Sequence, residues 1–304
     1  MGDWTIREAR DDDAPAMARL IADANPNMVV TPASWVHGRR IQPARARALH
    51  LVAEVDGAPI ARAHAGLNPH TTTAAAGFGS VIVDPQQRRR GIGTSLATRL
   101  ERHLAELAAE TWTATFFENT AGAAFAGRNG FAVERTAVAA AVDPRSVSLD
   151  VAGADEAVPA SVLGPEAVYG IDIAGMLDEP AANPVDPPPF DEWLDDLWDE
   201  PSFTREGSFV VSADGTPAAL TLLYIAPEAG RGLNAFTATL PEFRGRGLAL
   251  AVKVASLRWA AANGITQVST ANDDTNAPML AINARLGYAP IGRLLTMRRT
   301  LSTR

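Results

Sequence analysis

Hydrophobic and polar positions along this chain switch between two periods. WTIREA, HLVAEV, PIARAHA and FGSVIV are short apolar or alternating runs that predict strands. Asp56-Gly57, between the second and third, is a two-residue hairpin signal. DDDAPAMARLIADA predicts a helix whose acidic first turn suits the helix dipole. After Pro85 the period lengthens. Leu96, Leu100, Leu104 and Leu107 recur at helical spacing in GIGTSLATRLERHLAELAAE, a long helix with one buried stripe. TWTATFF predicts a strand, AGAAFAGR a short helix closed at Asn129-Gly130, and FAVERTAVAAAV a final strand or strand pair.

The pattern then starts again. Residues near 143–165 lose periodicity and read as a linker leading into a second unit. DEPAANPVDPPPF, at 178–190, is too rich in proline for a helix or a central strand. It is expected to form an ordered surface loop, followed by DEWLDDLWDE as an amphipathic helix with its two tryptophans inward. SFVVS and PAALTLLYI flank Asp214-Gly215, and NAFTATL is a further strand ended by Pro241. GLALAVKVASLRWAAANG is a long helix stopping at Asn263-Gly264. TQVSTA, NAPMLAINARLG and IGRLLTMRRTL complete a strand, helix and strand. Two landmarks fix the repeat. RRRGIG from Arg88 matches RGRGLA from Arg244, each three residues after a proline. Asn119 precedes Gly130-Phe131 by eleven residues, as Asn276 precedes Gly287-Tyr288. The expectation is an α/β fold with a mixed sheet, built twice, in domains 1–145 and 146–304.

Composition narrows the chemistry. The 304 residues suffice for two domains. A net charge of −8 argues against a role on nucleic acid, where basic surface supplies most of the affinity. It suits a cationic or amine substrate. No cysteine is present, which excludes disulfides, thiolate metal sites and a cysteine nucleophile; no metal is expected. The start, MGDWTIREARDDD, has no apolar secretory core, and no apolar run approaches the roughly 20 residues that span a bilayer. A cytoplasmic protein with no membrane partner is expected. Monomer and homodimer both stay open.

The repeated glycine turn opens a helix directly after a strand. Unpaired backbone N–H groups and the helix dipole make such a turn an anion site. A Walker loop would need Gly-x-x-x-x-Gly-Lys-Ser/Thr, which neither copy has. A dinucleotide fingerprint would follow the first strand and carry a third glycine. What remains is Arg-x-x-Gly-x-Gly/Ala, which fits a pyrophosphate.

Both copies, over roughly 79–131 and 235–288, resemble the GCN5-related N-acetyltransferase (GNAT) family, in a tandem layout similar to mycothiol synthase-like enzymes. The resemblance implies an acyltransferase that takes an acetyl group from acetyl-CoA and passes it to a primary amine by direct attack. It implies CoA contacts in the second copy from Ala238, Thr239, Leu240, Arg244, Gly245, Arg246, Gly247, Leu248 and Ala249, with Asn272 and Asn276. In the first copy it implies them from Ile82, Val83, Arg88, Arg89, Arg90, Gly91, Ile92, Gly93, Thr94 and Asn119.

The sequence departs from that family at one position. Many members place a tyrosine seven residues after the asparagine, as an acid for the leaving thiolate. Here those positions hold Ala126 and Asn283. Asn283 still hydrogen-bonds; Ala126 retains nothing, so chemistry is expected in the second copy. All five histidines, including strand residue His64, lie in the first copy. A base in the second copy must then be a carboxylate or an ordered water. Asp273, Asp274 and Glu228 are the candidates, with Glu118 the counterpart in the first copy. The expected acceptor is a small-molecule amine. The alternatives are a CoA-binding module without turnover and an acetyltransferase acting on protein.

Overall fold

The computed structural model describes residues 3–147, 150–178 and 184–301. Among the described residues, twelve strands build one continuous sheet. The first copy supplies β1 (Thr5–Glu8), β2 (Leu49–Val55), β3 (Ala58–Leu67), β4 (Ala76–Val83), β5 (Thr111–Phe117) and β6 (Ala132–Val142). The second supplies β7 (Val158–Pro159), β8 (Phe209–Ala213), β9 (Thr216–Ala226), β10 (Arg231–Thr239), β11 (Gln267–Asp273) and β12 (Ala289–Thr300). Asp56-Gly57 and Asp214-Gly215 turn the hairpins β2–β3 and β8–β9, all four residues at positive φ, as a two-residue turn of that hand requires. The helices are α1 (Ala14–Ala24), α2 (Pro32–Arg40), α3 (Ile92–Glu106), α4 (Ala121–Arg128), α5 (Ala160–Leu163), α6 (Pro165–Asp178), α7 (Phe190–Trp193), α8 (Leu248–Ala262) and α9 (Ala277–Arg285). None is long and apolar enough to cross a membrane.

The strand order is β1-β2-β3-β4-β5-β12-β6-β11-β10-β9-β8-β7. The last strand of each copy therefore lies in the run of the other. β12 pairs with β5 from Thr300↔Thr111 to Leu294↔Phe117. β6 pairs with β11 from Val268↔Val142 to Asp273↔Ala137. β6 and β12 pair with each other, antiparallel, at the centre of the sheet. Only small side chains fit where this pair is covered on both faces, and Ala139, Ala140, Ala141 and Val142 are buried there.

Each copy is layered helix–sheet–helix. The leucine stripe of α3, at Leu96, Leu100 and Leu104, packs on Leu51, Ala61 and Ala63 from one face of the first sheet. Met17, Leu20 and Trp35 from α1 and α2 cover Val52 on the other. In the second copy α8 packs with Leu223, Ile265 and Val268, while Trp193, Trp198 and Phe203 cover the opposite face. α8 is apolar nearly all round, which is the mark of a helix covered on every side. Its outer face is covered by the aperiodic connection between copies: Val147, Val151 and Ala154 join its cluster.

Of the proline-rich run, residues 179–183 lie outside the described residues. The part from 184 onward is ordered against the first copy. Thr71 donates to Pro184 O at 2.7 Å, and Asp186 N donates to His70 O at 3.1 Å. α7 runs into one turn of π-helix, Leu194–Trp198, and both tryptophans point inward. This strap is fastened to the first copy by Arg45 on both oxygens of Glu192, by His37 Nε2 to Asp195 O at 2.7 Å, and by His70 between Glu192 and Asp196.

Because β6 and β12 are exchanged, neither copy has a complete sheet of its own. A fragment ending at residue 147 leaves β5 and both edges of β6 bare, and exposed edges drive aggregation. It is expected to be insoluble or to lack a cooperative melt. Co-expression with the remaining residues should restore one soluble 1:1 complex by size exclusion and circular dichroism. A cooperatively folding, monomeric single fragment would contradict the exchange.

Candidate active site

Two parallel strand pairs open into clefts. β4 pairs with β5 only over Ala76–Phe78, and β10 with β11 only over Arg231–Leu233. Beyond those residues each pair separates toward its C-terminal end. The helix opening after a glycine turn, α3 or α8, starts beside each gap.

The clefts differ in detail. β10 carries a bulge: Asn234 stands opposite Leu223 and Phe236 opposite Leu222, so Ala235 has no partner across the ladder. A bulge re-aims side chains and frees backbone groups from pairing. β4 runs against β3 in unbroken register. In the first cleft Trp112 bridges the strands just where pairing ends, its indole N–H donating to Gly79 O at 3.2 Å. Its ring meets Phe131 edge-on at 5.2 Å, and a Cβ at Gly79 would fall 3.0 Å from its Nε1. By the repeat spacing and the strand register, the second copy has Val268 where Trp112 stands.

The second cleft is open. It forms a cavity of about 850 Å³ lined by β10 from Asn234 to Thr239, the glycine turn, the first turns of α8 and the end of β11. Gly245 (φ 77) and Gly247 (φ 81) give the turn its left-handed bends, and a Cβ on either would meet nothing within 4 Å. The backbone there is accessible from outside, which is what a phosphate-binding turn requires. In the first copy Arg89 takes the place of Gly245 and sits at φ 66. A left-handed conformation at a non-glycine residue costs about 1–2 kcal/mol. The first arginine of each motif turns back on its own strand. Arg244 Nε donates to Thr239 O at 3.1 Å and pairs with Asp178, and Arg88 Nε donates to Val83 O at 3.3 Å. Arg246 reaches Asp214, and Arg90 reaches Asp3.

Among the residues expected from the sequence, Ala238, Thr239, Arg244, Gly245, Gly247, Leu248, Ala249, Asn272 and Asn276 come together on the cavity wall. Leu240 and Arg246 lie outside it. Asn276 also caps α9, accepting from Met279 N at 3.2 Å. Asn283 is buried and donates to Asn272 Oδ1 at 2.7 Å, while its own Oδ1 has no partner among the described residues. Thr239 Oγ1 is likewise buried with no partner among the described residues. In the first copy Ile92 is core, and Ile82 and Val83 pack against the α1 and α3 clusters. Gly91 is the N-cap of α3, a Cβ at Gly93 would fall 3.6 Å from Val83, and Thr94 accepts from Thr98 at its carbonyl. Asn119 sits at φ 61, and Thr120 rather than Asn119 caps α4.

The three carboxylates are placed elsewhere. Asp273 is tied to Arg135 of β6 and to Thr275. Burial alone would push its carboxyl up, but the hydrogen bonds from Thr275 and Arg135 outweigh this and hold it low. Asp274 pairs with Arg293 and Thr136. Glu228 lies in the turn before β10, at the end remote from the cavity. His64 packs beside His50 and bonds Arg62 and Ser80; burial, with the Arg62 charge, pushes it well down.

The residue that pattern reading passed over is Lys253 on α8. It lines the cavity, is 1% exposed, and donates from Nζ to Asn234 Oδ1 at the bulge. Its Nζ also lies 5.2 Å from the ring centre of Tyr288. Asn234 in turn donates to Thr221 Oγ1 at 2.6 Å and accepts from Thr270 Oγ1 at its carbonyl. Burial lowers the Lys253 ammonium to about 7. One signal was visible in the sequence: it is the only lysine among 27 basic side chains.

The arrangement matches known proteins at two levels. The sequence profile of the acetyltransferase (GNAT) family matches twice, over residues 14–131 and 173–288. No curated protein matches the chain in sequence. Among solved structures, a tandem GNAT protein from the clavulanic acid biosynthesis pathway superposes with a TM-score of 0.72 at 21% identity, over 98% of each chain. A GCN5-related N-acetyltransferase from Sphaerobacter thermophilus gives 0.71 at 19% identity, over 99% of this chain and 96% of its own. These two likenesses concern the fold of the whole chain. With a double family match, open glycine turns and splayed strands in both copies, the chain belongs to the acetyltransferase (GNAT) family as a tandem member, an acyltransferase whose donor is acetyl-CoA.

Proposed function

We propose that the chain is an N-acetyltransferase acting on a primary amine of a small molecule, with its chemistry in the second copy. The observation that carries this is the contrast between the clefts. The second has a bulged strand, an open cradle and a cavity of about 850 Å³. The first is bridged by Trp112 and has an arginine in place of a cradle glycine.

The residues present fit the donor. The N–H groups of the turn and first residues of α8, Gly245 to Ala249, suit the pyrophosphate. Thr239, Asn272 and Asn276 offer polar atoms along the wall that an amide-bearing arm would follow, with Asn283 holding Asn272 in place. When bound, acetyl-CoA supplies an activated acyl group. The unpaired peptide at Ala235 suits stabilisation of a developing oxyanion. A small acceptor is favoured by the close seat of α6 on β10: a Cβ at Gly175 would fall 2.5 Å from Ala238 and 2.8 Å from Phe236. An alkylamine with a pKa of about 10 must lose a proton before attack.

A second reading, a CoA-binding module without turnover, is favoured by one observation. The position of the family tyrosine is filled by Asn283, buried and tied to Asn272.

Calorimetry with acetyl-CoA should give one site per chain. Arg244→Glu with Gly247→Glu should abolish both binding and thiol release over a panel of amines. The matched pair, Arg88→Glu with Gly91→Glu, should keep both and lower stability only. Silencing by the first-copy pair alone would overturn the assignment. Binding with no thiol release on any amine or peptide would favour the module, and release on peptides alone would favour a protein acceptor. Trp112→Ala should cost about 3–5 kcal/mol in urea unfolding, as expected for a buried indole.

A further inference from the structure

The cation usage of this chain is lopsided. Of the 27 lysine and arginine side chains, all but one are arginine. Arginine does not release its proton in proteins, whereas a buried lysine readily does. The single lysine is not at the surface, where arginine serves elsewhere in the chain. It sits inside the second cleft, at a helix position where the first copy has Ala97.

We propose that Lys253 is the proton donor to the sulfur that leaves the acetyl carbonyl in the second copy. This rests on the reading that acetyl transfer runs in that cleft. Lys253 lines the cavity together with Asn234 and Thr270, at the bulge of β10. Asn234 accepts one of its N–H groups, and the face of Tyr288 lies beside Nζ. The groups facing it are thus neutral from β10 (Asn234), from β11 (Thr270) and from the start of β12 (Tyr288). The charged groups on the cavity wall are Arg244, paired with Asp178, and Arg285. Among the described residues Lys253 makes no ion pair.

The chemistry balances. The acceptor nitrogen bonds to the acetyl carbon, and the carbon–sulfur bond breaks with its electron pair on sulfur. Sulfur takes a proton from the Lys253 ammonium, and the amine left behind takes back the proton that the acceptor nitrogen sheds. Burial brings Lys253 to about 7. A thiol of the cysteine type has a pKa of about 8.5, so the transfer runs downhill. This supplies the acid that the family tyrosine would otherwise provide.

Because the chain has one ε-amine, its titration is directly readable. Trace labelling with acetic anhydride across pH 5–10, followed by mass spectrometry of the Lys253 peptide, should give a midpoint near 7. The unfolded chain should titrate near 10.4, the value for an ordinary lysine. Saturating CoA should slow the labelling at least about tenfold, the scale of a group shielded by the ligand. In single-turnover thiol release, Lys253→Met and Lys253→Arg should both lose about 10²- to 10⁴-fold, the range for a positioned acid, with acetyl-CoA affinity retained. Full turnover by Lys253→Arg would assign a charge-holding role and overturn the proposal. So would a midpoint near 10, labelling indifferent to CoA, or a stable acetyl group on Lys253 after incubation with acetyl-CoA. Wild-type protein that binds no acetyl-CoA overturns the functional reading along with this one. Binding with normal turnover by Lys253→Met overturns this one alone.

Discussion

The antiparallel ladder between β6 and β12 is the contact on which the rest of the molecule depends. It is the seam between the copies, and each of its strands also completes the other copy's run. The outer edge of each cleft, β5 or β11, is held by a strand that the other copy donated. The gap between β10 and β11 stays open partly because β11 is fastened along its far side to β6. Arg135 of β6 then draws Asp273 at the end of β11 away from the cleft. The charge arrangement at the end of the second site is therefore set by a residue of the first copy.

Duplication supplied two similar backbones, and side chains have since separated them. The glycine turn, the left-handed glycine before the helix and the arginine folded back on its strand recur in both. The differences are few and concentrated where a ligand would enter. One cleft has a large aromatic ring joined to the facing strand; the other has valine there and a buried amine on the neighbouring helix. Apolar filling favours stability, while a buried amine with one hydrogen-bonding partner is costly unless it has a use.

The elements themselves were legible because local signals agree with tertiary ones. The Asp-Gly hairpins, the leucine stripe of α3 and the motif opening each long helix sit where their patterns place them. The wall residues Thr239, Gly247 and Asn272 were readable through the motif spacing. The exchange of last strands was not. The alanine-rich β6 carries the same small, apolar pattern whichever strand lies beside it, so nothing local names its partner. Asp273 looked free because Arg135, which captures it, lies 138 residues earlier in the chain. α8 showed no polar face to mark its outer side, since the aperiodic connection covers it. Lys253 could have been found by counting rather than by motif, because a residue type used once invites the question of why it is there.

The order of strands also bears on how the chain is made. β5 and β6 are made well before β12, which pairs with both and follows only after the rest of the second copy. Until then the two strands present bare edges flanked by apolar faces, the surfaces through which nascent chains associate wrongly. Closing the central ladder means bringing together segments separated by almost the whole second copy, a form of contact that slows folding. The same seam that binds the finished sheet into one piece thus makes the newborn chain a natural client for chaperones.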